Sequence, residues 1–131
     1  PLMPSIFTRI VKGEIPCHRV AEDDRYLAFL DINPLREGHT LVIPKVEVDY
    51  LFDLEEDLLA GILPFSREVA RKIEAVVPCA RIGVSVIGLE VPHAHVHLIP
   101  IDGVHDMEFS RARPSFTPEQ LAATAERIRN A

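Results

Sequence analysis

Apolar residues recur along this chain in two periods, and the switches between them mark out its elements. In SIFTRIVKGE, Ile6, Phe7, Ile10 and Val11 fall on one helical face. Ser5 stands as an N-cap and Gly13 as a stop, which predicts a short first helix. CHRVAED reads as a strand ending at the turn residues Asp23 and Asp24. YLAFLDI (26–32) reads as a second strand, NPLREG as a turn, and HTLVIPK (39–45) as a third strand stopped by Pro44. The middle of the chain changes period. Leu58, Leu59, Ile62, Phe65, Val69, Ile73 and Val76 recur at helical spacing, behind an Asp53–Glu56 pair that resembles a capping box. Pro64 predicts either a kink or two helices, and Pro78 ends the run. RIGVSVI (81–87) and HAHVHLI (93–99) return to strand character. Thr117-Pro118-Glu119-Gln120 has the N-cap, proline and first-turn acid of a C-terminal helix.

No repeat, low-complexity tract or linker divides the chain, so residues 1–131 read as one domain. The expected class is α+β: an antiparallel five-stranded sheet with helices packed on it. Met3 is the expected natural start, with Pro1 and Leu2 as additions ahead of it.

Bulk properties narrow the partners. The formal net charge of −6 disfavours nucleic acid and anionic membranes, which call for a basic surface. No apolar run approaches the roughly 20 residues that span a bilayer, and no secretory signal is visible. Cys17 and Cys79 show no disulfide framework and no CxxC spacing, which fits a reducing compartment and a cytoplasmic location. Arg36, Lys45 and Arg81, the cations nearest the interesting segments, read as solvated surface charges.

The candidate chemistry lies in PHAHVHLIP, residues 92–100. Three of the six histidines in the chain, His93, His95 and His97, alternate there with Ala94, Val96 and Leu98. In a strand this puts the imidazoles on one face, roughly 7 Å apart, and the apolar residues on the other. Three readings are open. The row can be a polar strand face that happens to use histidine. It can be a metal site, although the outer pair, about 13 Å apart on a straight strand, cannot share an ion, so ligands from elsewhere would be needed. It can also be a nucleophile flanked by imidazoles that fix its tautomer and move protons, which suits attack on phosphorus.

HAHVHLIP resembles the His-x-His-x-His signature of the histidine triad nucleotide hydrolases and transferases. The resemblance extends over nearly the whole chain: IFTRIVKGEIPCHRV is similar to the family's opening segment, YLAFLDINPLREGHTLVIPK to its nucleoside-binding hairpin, and LFDLEEDLL to a helix start. It implies that His95 is the nucleophile toward the α-phosphorus of a nucleoside phosphate derivative. His93 and His97 would orient it, with His39 as a fourth partner. Asp31 would accept from the ribose hydroxyls, and Phe29, Ile32, Ile6, Phe7 and Ile10 would hold the base. A nucleotidyl hydrolase or phosphoramidase is implied, as is a homodimer with joined sheets. The other function carried forward is a nucleotide-binding or sensing protein with little turnover.

Departures from the family pattern carry their own expectations. Zinc-binding members have Cys-x-x-Cys where this chain has Ser5 and Thr8, and a histidine where it has Glu47, so no metal and no cofactor is expected. The phosphate-contacting Gln of the family is Leu89 here, and the Ser or Thr beside the leaving group is Glu90, which becomes a candidate proton donor. Ser85 replaces an Asn on the preceding strand. Residues 102–116, with His105, Arg111 and Arg113, are expected to form a solvated loop, the other reading being a cover over the pocket.

Overall fold

The computed structural model describes residues 3–131; Pro1 and Leu2 lie outside the described residues. Five strands form one antiparallel sheet in the order β1-β2-β3-β5-β4. They are β1 (Arg19–Glu22), β2 (Tyr26–Leu30), β3 (Thr40–Pro44), β4 (Arg81–Ser85) and β5 (Val96–Ile101). Three helices accompany them: α1 (Ile6–Val11), α2 (Glu56–Val76) and α3 (Pro118–Arg129). The α+β class and the five-stranded sheet expected from the sequence are both present.

Strand alternation sorts the side chains into two layers. Tyr26, Ala28, Leu30, Val42, Val96 and Leu98 point into a core shared with Ile62, Val69 and Ile73 of α2 and Leu121, Ala125 and Ile128 of α3. Leu27, Phe29, Leu41 and Ile43 point the other way and pack with Phe7 of α1. β2 and β3 are therefore buried along their whole length, and the second layer is where the histidines lie.

Glycine is required at two close approaches. A Cβ on Gly61 of α2 would fall 2.5 Å from the Tyr26 hydroxyl, which donates to Leu58 O at 2.7 Å. Gly38, at φ +90°, turns the chain into β3, and a Cβ there would meet Val77 at 3.0 Å.

Several boundaries differ from the sequence reading. All the strands are shorter than expected, and the last also starts later and runs to Ile101. The Asp53–Glu56 box does not form: Asp53 closes a 3-10 turn over Leu51–Asp53, and α2 begins after Glu55 with no side-chain cap. α2 is a single helix of 21 residues through Pro64. The carbonyl deprived of its partner there belongs to Ala60, which is exposed and open to water. Both other caps form as expected. Ser5 Oγ accepts from Thr8 N at 3.0 Å. Thr117 and Gln120 make a reciprocal capping box at 3.1 and 2.8 Å.

Candidate active site

The apolar layer beneath α1 opens into a cleft of about 530 Å³. One wall is Ile6, Phe7, Ile10, Phe29 and Ile32, the residues expected to hold a base. Asp31, His95, His97, Leu89 and Glu90 line the rest, together with Phe109 and Arg113. Ser85 is not brought in: it sits on β4, paired in register with His97, outside the cleft lining.

The histidine row is built differently from a uniform strand. Only His97 lies within β5; His93 closes a bend, its N–H donating to Val91 O at 2.8 Å, and His95 follows in unladdered backbone. Ala94 N–H is drawn off the ladder to Val48 O at 2.7 Å. Alternation nevertheless holds: Val96 and Leu98 join the helix-side core and Ala94 is buried, while Phe7 of α1 lies edge-on to His93 and His95.

Backbone groups assign the tautomers. His95 Nδ1 is 2.7 Å from His93 O. A carbonyl only accepts, so Nδ1 carries a proton, and in the neutral ring Nε2 keeps its lone pair. His93 Nε2–H donates to Pro44 O at 2.8 Å, which leaves its Nδ1 to accept from Ser5 Oγ at 2.8 Å. His39 Nδ1 accepts from Leu35 N–H at 3.0 Å. Its Nε2–H therefore donates to His97 Nδ1 at 2.9 Å, and the proton of His97 sits on Nε2. His93 is thus set by the Pro44 carbonyl, His97 by His39 and through it by the Leu35 amide, and His95 is left with one free nitrogen.

Burial favours the neutral form of His39, His93 and His97. His39 is held down to about 3, first by desolvation and then by the charges of His97 and Arg113. His97 is held down to about 4, by desolvation and then by His95 and Arg113. Desolvation also lowers His93. Asp31 moves the other way: burial raises it, against the Asn33 N–H that donates to its carboxylate at 2.8 Å.

Ser5, Thr8 and Glu47 converge on the outer side of His93. Glu47 Oε1 accepts from Ser5 N at 2.8 Å and from Thr8 Oγ1 at 2.6 Å. This hydrogen-bonded group, and not packing alone, holds α1 to the loop after β3.

The segment after β5, expected to be solvated, is largely exposed, and it is also tied down. Asp106 accepts from Arg36 at 2.7 Å, from Arg111 at 2.9 Å and from Asp102 N at 2.8 Å. The Asp102 amide and Arg111, foremost among these donors, hold its carboxyl down to about 2. Arg36 also meets Asp102 at 3.1 Å, so it is a tether and not a free surface charge. Lys45 pairs with Glu22 at 2.6 Å, while Arg81 is exposed. The tether delivers Phe109 to the cleft, where its ring lies edge-on to His97 with centroids 4.8 Å apart. No periodicity marked Phe109 or Arg113 in the sequence; the arginines of the segment were its one visible signal.

Residues 12–104 match the HIT domain family. The chain is 36% identical over 133 aligned residues to a Schizosaccharomyces pombe protein named adenosine 5'-monophosphoramidase hnt1, with 96% of each chain covered. A HIT-like protein from Bartonella henselae has a similar structure, with a TM-score of 0.83 and 32% identity over 96% of this chain and 94% of that one. A zinc-bound histidine triad protein from Mycobacterium smegmatis has a TM-score of 0.78 and 26% identity, over 95% and 90%.

The residues here do not suit zinc. Ser5 Oγ, Thr8 Oγ1, Glu47 and His93 Nδ1 include two neutral hydroxyls and no thiolate, and they are joined to one another by hydrogen bonds. The Asp31, His39 and His97 ligand atoms lie within 4.8 Å of one another. Both His39 nitrogens are already used, so an ion there would displace the Leu35 or His97 contact.

Proposed function

Because the chain belongs to the histidine triad (HIT) domain family, we propose that it is a nucleotidyl hydrolase or phosphoramidase acting on nucleoside 5'-monophosphate derivatives. The observation that carries this reading is the His95 Nδ1–H bond to His93 O, which in the neutral ring leaves the Nε2 lone pair for attack on a ring that lines the cleft. Nε2 attacks the α-phosphorus, an N–P bond forms, and the bond to the leaving group breaks. His97 lines the cleft, and its Nε2–H, with Nδ1 held by His39, donates to the reacting oxygens or the departing atom. Water then attacks phosphorus, its proton is taken up as the N–P bond breaks, and a nucleoside monophosphate leaves. Phe7, set edge-on to both Phe29 at 5.5 Å and His95 at 5.1 Å, joins the base wall to the nucleophile. Asp31 takes the ribose hydroxyls, and Glu90 faces the leaving group.

A binder with little turnover is the second reading. The exposed Leu89 side chain at the cleft supports it, because it offers no donor to phosphate. Single-turnover hydrolysis of adenosine 5'-phosphoramidate separates the two. The unaltered protein should release adenosine monophosphate and His95→Asn should not; equal release by both removes His95 as nucleophile.

The same reading extends to assembly and setting. β4 is an edge strand, and Val84, Val86 and Ile87 on and after it are exposed, which supports pairing with a second copy. Sedimentation of the protein as a monomer would rule that out. No helix among the described residues is long and apolar enough to cross a membrane. The free thiols of Cys17 and Cys79 support a reducing, cytoplasmic setting.

A further inference from the structure

An anionic substrate enters this cleft past two carboxylates, Asp31 and Glu90. Arg113 is the one lysine or arginine side chain in the lining among the described residues. It is half-buried and firmly placed. Nη1 donates to Asn33 O at 2.6 Å, Nη2 donates to Phe109 O at 3.0 Å, and Cζ lies 5.8 Å from the Phe109 ring centroid. Those two carbonyls engage only part of its fan of N–H donors, and the rest have no protein partner among the described residues. Its neighbours in sequence and charge are otherwise committed: Arg111 and Arg36 both spend their guanidinium groups on Asp106.

The location is specific. Asn33 lies two residues beyond Asp31, so the turn that presents the ribose acceptor also anchors the guanidinium. Phe109 presses on His97, so the second anchor sits against the catalytic row. Across the cleft, the Leu89 and Val91 side chains supply no hydrogen-bond donor.

The geometry points to Arg113 as the residue that receives the charged phosphoryl oxygens of the substrate, from the segment between β5 and α3 and not from the residues just ahead of the histidines. The inference rests on the nucleotide reading above. It specifies a contact to the phosphate, made in the bound ground state and retained as charge builds on the equatorial oxygens at His95.

Calorimetric titration of the intact protein with adenosine monophosphate and with adenosine tests it without relying on turnover. Arg113→Gln should weaken the monophosphate about tenfold to a hundredfold, the loss expected for a charge-assisted hydrogen bond. Adenosine, which lacks the phosphate, should keep its affinity to within about twofold, since a near-neutral contact is all it would lose. Arg113→Lys should retain part of the preference for the monophosphate, because it keeps the charge without the planar fork. An unchanged monophosphate affinity in Arg113→Gln overturns the assignment. So does an equal loss for both ligands, which would make Arg113 a support for the loop. If the unaltered protein binds neither ligand, the nucleotide reading itself fails and this inference falls with it.

Discussion

Replacing Ser5 by alanine tests how the site is held. Ser5 is buried and its hydroxyl makes two bonds, accepting from Thr8 N at 3.0 Å and donating to His93 Nδ1 at 2.8 Å. Loss of an N-cap costs about 1 kcal/mol. Leaving the fully buried His93 nitrogen without a donor costs roughly 1–3 kcal/mol more. Thr8 Oγ1 is 3.3 Å from that nitrogen and is the nearest substitute, but its proton already goes to Glu47 at 2.6 Å. A swing toward His93 would remove a donor from the Glu47 carboxylate, so the site has no free replacement.

The expected loss is therefore about 2–4 kcal/mol, a large part of the roughly 5–15 kcal/mol that holds a domain of this kind together. At about 3–4 °C per kcal/mol for a chain of this length, the melting midpoint should fall by about 6–16 °C. Urea unfolding at neutral pH is the assay, with Ser5→Thr as the comparison that keeps the hydroxyl. His93 also supplies the carbonyl that orients His95, so the nucleotidylation rate in Ser5→Ala should fall by a larger factor than nucleoside affinity. A stability within about 0.5 kcal/mol of the unaltered protein, the range of ordinary surface changes, would refute the bonding scheme.

Acid should unfold the protein early. His39 and His97 titrate at about 3 and about 4 when folded, below the ordinary value of 6.5. The unfolded chain thus binds more protons below pH 6.5, and stability present above that pH is lost as it falls. At about 1.36 kcal/mol per site and pH unit, the two give a slope of roughly 2–3 kcal/mol per unit between about pH 6 and 5. Lowered His93 adds to the slope, and raised Asp31 opposes it at the acid end. A urea midpoint that stays level from pH 7 to about 5 would contradict buried neutral imidazoles. Elemental analysis should find no stoichiometric zinc, with activity unchanged by chelator. About one zinc per chain, lost together with activity, would overturn the reading of Ser5, Thr8 and Glu47. Glu90→Gln should alter the ratio of rates for amine and phosphate leaving groups; a constant ratio would remove Glu90 from contact with the substrate.

What the sequence made legible was local. The caps at Ser5 and Thr117 are three-residue patterns, and they form. The two faces of β2 and β3 follow from alternation, as does the shared side of the three imidazoles. The failures arise from competing local turns and from long-range bonds. Asp53 has the chemistry of a cap, but a 3-10 turn claims it before α2 starts. β5 begins later than its pattern implies because Ala94 N–H goes to Val48, far back in the chain. Phe109 and Arg113 reach the cleft through the bond from Arg36 to Asp106, which joins residues 70 apart and leaves no mark on any window of sequence. The donors to Asp106 decide what lies over the cleft, and pattern alone could not reveal them.

The alternation through 93–98 has one further consequence. Its odd positions belong to chemistry and its even positions to the helix-side core. One residue inserted into this stretch would exchange the two sets, sending imidazoles into packed hydrocarbon and aliphatic groups toward the cleft. The row can vary by replacement in place and cannot slide. An added residue in the connection before His93, where Leu89 and Glu90 stand, would leave that alternation in place. The imidazole row is thus fixed in register, while Leu89 and Glu90 line the cleft from the connection ahead of it, outside any strand.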